Sequence, residues 1–133
     1  MKAGKWVFIG LGFLASVLPG CKKSGDENNC IGFTNAPVTK VEGPTTGNVN
    51  QAIDLTVSFG CFSGCGQFGN FEQTANGNST TISVVAKYEG CICTTEAPIR
   101  QTIYNFKAGQ PGTYYLRFEQ TKDSYLTYSI VIQ

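Results

Sequence analysis

The strongest constraint in this chain is strict alternation. In "AIDLTVSF" (residues 52–59), Ile53, Leu55, Val57 and Phe59 occupy every second position, with Asp54, Thr56 and Ser58 between them. Side chains two apart point the same way only in an extended strand. The run therefore predicts a strand with one buried and one wet face. "TTISVVAKY" repeats the pattern with Ile82, Val84, Ala86 and Tyr88, and "TYYLRF" with Tyr114, Leu116 and Phe118. "YLTYSIVI" does so with Leu126, Tyr128, Ile130 and Ile132. Less regular strands are expected at Val38 to Glu42, Gly66 to Gln73 and Ile99 to Phe106. No internal repeat and no amphipathic helix competes with this reading.

Turn residues fall between the runs. "GPTTGN" separates the first two strands, "ANGN" makes a tight hairpin, "AGQPG" a corner and "TKDS" the last hairpin. Seven short strands over about 100 residues predict an all-β antiparallel sandwich. Within it, "GQPGTYYL" resembles the tyrosine-corner segment of immunoglobulin-like domains, with Gly112 turning the chain and Tyr114 reaching back to the corner. Leu116 stands where antibody domains carry a disulfide cysteine, and the one tryptophan is Trp6, outside the domain. The resemblance is therefore closer to the fibronectin type III kind. It implies a seven-stranded immunoglobulin-like β-sandwich over residues 34–133. Such a fold carries no function by itself.

The beginning of the chain reads as an address. Lys2 and Lys5 precede the apolar stretch "WVFIGLGFLASVL", which is shorter than the about 20 residues a spanning helix needs. Residues 1–20 are expected to be a signal peptide. "LPGC" at 18–21 resembles the lipobox of bacterial lipoproteins, in which cleavage precedes the cysteine, and the thiol and new amino terminus are acylated. That resemblance implies that Cys21 is lipidated and anchors the protein to a membrane. Several acyl chains make a durable anchor where one does not. Lys22 departs from the aspartate-type signal that retains lipoproteins in an inner membrane, so the expected location is the outer membrane or cell surface of a Gram-negative bacterium. "KKSGDENN" is expected to be a flexible linker, giving a linker segment at 21–33.

Removing residues 1–20 leaves 113 residues (133 − 20), enough for one domain with a core. Basic residues fall to 8 (10 − 2) against 9 acidic ones, a net charge of −1. That balance gives no long-range attraction for nucleic acid.

Five cysteines follow Cys21: Cys30, Cys61, Cys65, Cys91 and Cys93. An exported protein tends to hold them as disulfides. If the strands alternate in direction, the loops at 61–65 and 89–98 share one end with Cys30. Two bridges are expected, joining Cys61 and Cys65 to Cys91 and Cys93, with Cys30 as the free thiol; spacing does not fix the connectivity. Cys-x3-Cys with Cys-x-Cys would offer four thiolates to zinc or copper(I), but these are not zinc-knuckle spacings and the compartment favours oxidation. No metal or other cofactor is expected.

The chain has no histidine, which removes serine–histidine and cysteine–histidine catalysis. Asp54, Glu72, Glu89, Glu96 and Glu119 leave open a small hydrolase with paired carboxylates. The glycine-rich "GCFSGCGQFGNF" lacks the ending of a phosphate loop. "GPTTG" resembles one loop motif of chagasin-like protease inhibitors, without the aromatics that follow it there or their "RPW" loop. The favoured expectation is a non-enzymatic binding or structural module. Its partner is an unidentified protein or glycan, and its candidate surface is Tyr115, Arg117 and Tyr125, which fall on the outward parity.

Overall fold

The computed structural model describes residues 30–133. Cys21, the expected signal peptide and most of the expected linker lie outside the described residues. The described chain is all-β, with nine strands and no helix: β1 Ile31–Ala36, β2 Val38–Glu42, β3 Thr46–Gly47, β4 Ile53–Gly60, β5 Gly66–Asn76, β6 Ser79–Glu89, β7 Ile99–Phe106, β8 Gly112–Thr121 and β9 Ser124–Ile132. All seven expected strands are present. The count of seven is corrected to nine by β1 and β3.

Both additions lack a core-facing alternation. In β1 the apolar Ile31 and Phe33 are solvent-exposed, so the period-two signal points outward. β1 also begins three residues ahead of the expected domain boundary at Thr34. β3 is two residues long and pairs with β9 in parallel.

The strands form two sheets. A three-stranded sheet has the order β2-β4-β7. The larger sheet runs β1-β6-β8-β9-β3, with β5 on the far side of β6. One edge of β6 is divided between two neighbours. Its residues Ser79–Ile82 pair with β8 in parallel, and Val84–Glu89 pair with β1 antiparallel. Pro37 stands where the chain passes from β1 in one sheet to β2 in the other. Without an N–H it contributes no ladder bond there, and its carbonyl accepts from Gly60 N–H at 2.9 Å.

Between the sheets lie the alternating residues read from the sequence. Ile53, Leu55, Val57 and Phe59 from β4 face Ile82, Val84, Ala86, Leu116, Phe118, Ile130 and Ile132, all buried. Tyr114 and Tyr128 pack at the margin. Tyr104 and Phe106 both face inward. The Tyr104 hydroxyl donates to Gln73 Oε1 at 2.6 Å, which satisfies the one polar atom its ring carries into the core. Burial raises its pKa above the ordinary value for tyrosine. Ser58, expected on the wet face, is buried instead, and its hydroxyl accepts from Gln101 Nε2 at 3.3 Å.

β5 looked irregular because it bulges. Its register against β6 shifts between Phe68 and Asn70. The extra residue places Phe68 and Phe71, three apart, on the same inner side, with ring centroids 4.8 Å apart. Gly69 sits in the bulge, where a Cβ would lie 2.8 Å from Val85 O.

The tyrosine at the corner does what its position predicted: the Tyr114 hydroxyl donates to Gln110 O at 2.7 Å. Gly112 holds φ at 148°, a backbone state that favours glycine.

Candidate functional site

The larger sheet presents a broad outer face on β5, β6, β8 and β9, and its register can be read as rows. Glu72 pairs with Ser83, Ser83 Oγ donates to Glu119 Oε2, and Glu119 pairs with Tyr125. The next row is Thr74, Thr81, Arg117 and Thr127. The third is Asn76, Ser79, Tyr115 and Ser129. Adjacent strands lie about 4.8 Å apart, so the rows make a continuous grid on this face. Six of its twelve side chains are serine or threonine.

Two aromatics and one cation interrupt this hydroxyl surface. Tyr115 is exposed and Tyr125 half-buried. Arg117 lies diagonally across from Tyr125 in the β8–β9 ladder, close enough for same-face contact. Its guanidinium carbon sits 4.3 Å from the ring centroid. The stack holds the guanidinium plane against the ring. Among the described residues the ion pairs are Lys40–Glu42 and Lys87–Glu89, and Arg117 belongs to neither. The three residues expected from the sequence thus share one face, with Arg117 joined to Tyr125. Sequence reasoning missed the hydroxyl rows around them. Their signal was the outward parity of β5 and β6, combined with the register that the "ANGN" hairpin imposes.

The carboxylates do not gather into a cleft. Asp54, on the opposite sheet, accepts from Asn105 Nδ2 at 2.7 Å, and Glu89 pairs with Lys87. Glu72 and Glu119 share the grid but stand on either side of Ser83, two strand spacings apart.

All five described cysteines lie at the other end of the sandwich, and the expected pairing is corrected. The bridges are Cys30–Cys91 and Cys65–Cys93, and Cys61 is the free thiol. The unexpected strand β1 explains Cys30. Ile31 pairs with Glu89, and Gly90 N–H donates to Cys30 O at 2.9 Å, which sets Cys30 beside Cys91. Parity explains Cys61. It continues the series 53, 55, 57, 59 onto the buried face, 3% exposed, beneath Gly66 and the ring of Tyr88. The Tyr88 hydroxyl accepts from Phe62 N–H at 3.0 Å. Its pKa is raised by burial and by the neighbouring Cys61, with the Phe62 bond acting in the opposite direction. Among the described residues no group of three or more His, Cys, Asp or Glu is arranged to hold a metal ion.

Residues 55–127, more than half of the chain, match the ORF11 beta-sandwich domain. The chain belongs to that family. The matched span of the ORF11 beta-sandwich domain runs from β4 into β9 and includes the grid apart from Ser129. It contains both halves of Cys65–Cys93 but not Cys30. No curated protein and no solved structure matches the chain.

Proposed function

We propose that the protein is a lipid-anchored envelope lipoprotein, at the outer membrane or cell surface of a Gram-negative bacterium, that works by contact and not by turnover. The observation that carries the contact reading is the grid, a hydroxyl-rich sheet face with Arg117 stacked on Tyr125 and Tyr115 standing free. Sheet faces bearing exposed tyrosine and arginine suit recognition of an extended peptide or a glycan, because tyrosine supplies area at low entropic cost and arginine a planar fork of hydrogen-bond donors. The anchor rests on the "LPGC" sequence at Cys21.

An immunoglobulin-like arrangement of the sandwich is part of this proposal. It is supported by the corner bond from Tyr114 and by the parallel pairing of β3 with β9. In such an arrangement β5 would lie beside β8, whereas here β6 does. The ORF11 beta-sandwich domain would then be a variant in which the β5–β6 hairpin is exchanged.

The test has two parts. Mass spectrometry of the mature amino terminus is expected to find an acylated, diacylglyceryl Cys21, and an unmodified cysteine would end the lipoprotein reading. Peptide and glycan arrays probed with the protein should then give binders that are lost on changing Tyr115, Arg117 and Tyr125 to alanine, with thermal unfolding unchanged. Binding that survives all three changes would remove the grid from the proposal. A glycoside hydrolysis abolished by Glu72→Gln or Glu119→Gln would replace contact with catalysis.

A further inference from the structure

The cysteine end exposes apolar side chains that its rigidity does not explain. Ile92, between Cys91 and Cys93, is 95% exposed, Phe62 66% and Ile99 58%. Ile31 and Phe33, at the start of β1, add to the rim. They are not carried on slack loops. Ile92 is flanked by both bridges, and Phe62 stacks on Tyr88 with ring centroids 3.9 Å apart. Cys61 N–H donates to Pro98 O at 2.9 Å, tying the Phe62 loop to the residue before Ile99. Exposed apolar side chains gathered at one end of a domain on fixed backbone mark a contact surface.

The path of the chain says what it meets. Cys30, bonded to Cys91 and so adjacent to Ile92, is nine residues beyond Cys21 (30 − 21). Nine residues reach at most about 32 Å when fully extended. A lipid at Cys21 therefore holds this end within about 32 Å of the bilayer, nearer its point of attachment than the hairpin end. A tether of that length holds a second contact at an effective concentration on the order of millimolar, so even weak insertion is populated.

We infer that the bridged end of the sandwich seats on the lipid surface, with Phe62, Ile92 and Ile99 entering the interface between headgroups and acyl chains. Such insertion reaches about 5–10 Å below the headgroups. The grid, set toward the opposite end, is thereby turned away from the membrane. The tether part of this inference rests on the lipoprotein reading of Cys21.

The experiment uses the full chain carrying Trp6→Phe and Phe62→Trp, in phosphatidylcholine vesicles with brominated acyl chains at lipid excess. Trp6→Phe with Tyr115→Trp is the comparison. Bromine is expected to quench tryptophan at position 62 several-fold more than at position 115. Adding Ile92→Ser and Ile99→Ser should remove most of that difference, and both positions are exposed enough to leave folding intact. Equal quenching at 62 and 115 overturns the seating, whatever the state of Cys21. Concentration-dependent self-association without quenching at 62 also overturns it, in favour of a second copy. Mass spectrometry of Cys21 on the same sample separates failure of the seating from failure of the anchor.

Discussion

The two ends of this sandwich are closed by different means, apart from the two-residue β8–β9 turn at 122–123, which lies on the cysteine side. At the hairpin end the turns are short and held by hydrogen bonds. Gly77, at φ 61°, starts a two-residue turn, and Tyr115 N–H donates to Asn78 O at 2.8 Å. Asn78 Nδ2 donates to Thr113 O at 3.2 Å, and Asn50 N–H to Ala108 O at 2.7 Å. At the cysteine end, residues 61–65 and 90–98 form longer crossings outside the strand ladders. Two bridges pin them, and the Arg100 guanidinium donates to Gly64 O and Gly66 O at 3.2 and 3.1 Å. Short turns with the right glycine or asparagine fix themselves. Longer crossings have more entropy to lose, and covalent closure reduces that cost in the unfolded chain.

The largest effect should come from cutting those bridges. By chain entropy, closure over 61 residues stabilises by about 4.3 kcal/mol and over 28 by about 3.6 kcal/mol, each as the sole bridge. Denaturant titration of a Cys65→Ser/Cys93→Ser chain, a Cys30→Ser/Cys91→Ser chain and one with all four changes should return that ranking. A shorter bridge that contributes more would mean that local packing at Gly64–Gly66, and not loop entropy, sets its worth. Thiol labelling of the intact protein under native conditions should modify Cys61 slowly, because the sandwich must open first.

How the cysteines pair shows where sequence reasoning stopped. The alternation at 53–59 placed β4 correctly, and extending it one step puts Cys61 in the core. Cys30 required β1, whose Ile31 and Phe33 face water and whose other parity is Gly32, Thr34 and Ala36, of which only Ala36 is buried. No hydrophobic period marks such a strand. It exists because β6 is longer than its contact with β8 and has an open edge to fill. The bulge at Phe68–Asn70 hid β5's inner face for a related reason, since one inserted residue breaks a period of two. On the candidate face, the parity of Tyr115 and Arg117 was readable within one strand. The meeting of Arg117 with Tyr125 and the rows of hydroxyls depend on register between strands, which only the paired sheet supplies.

Glycine substitutions compare the ends more finely. A Cβ at Gly66 would meet Cys61 Cβ at 2.6 Å and Tyr88 Cε1 at 2.7 Å, inside a buried site that has no room to relax. Gly66→Ala should therefore cost about 3 kcal/mol, the upper part of the overpacking range. Gly77 has nothing within 4 Å, so Gly77→Ala carries only the backbone penalty of its positive φ, about 1 kcal/mol. Chemical denaturation of the two variants measures the difference. Equal costs would show that the cysteine end yields as readily as the hairpin end, despite its bridges.

The smallest effect tests the corner of the hairpin end. Tyr114→Phe removes the hydroxyl that donates to Gln110 O and leaves the ring packed on Phe106, with centroids 5.4 Å apart. Gln110 is exposed, so its carbonyl regains a water partner and no buried acceptor is stranded. The expected loss is about 1 kcal/mol, within the usual net value of a single hydrogen bond. Hydrogen exchange should quicken at residues 108–113 while the amides of the bridged loops keep their protection, because the corner lies at the opposite end of the β4–β7 ladder from them. A loss above about 2 kcal/mol, or faster exchange at both ends together, would mean that the corner holds the whole sandwich and that the two ends are one cooperative unit.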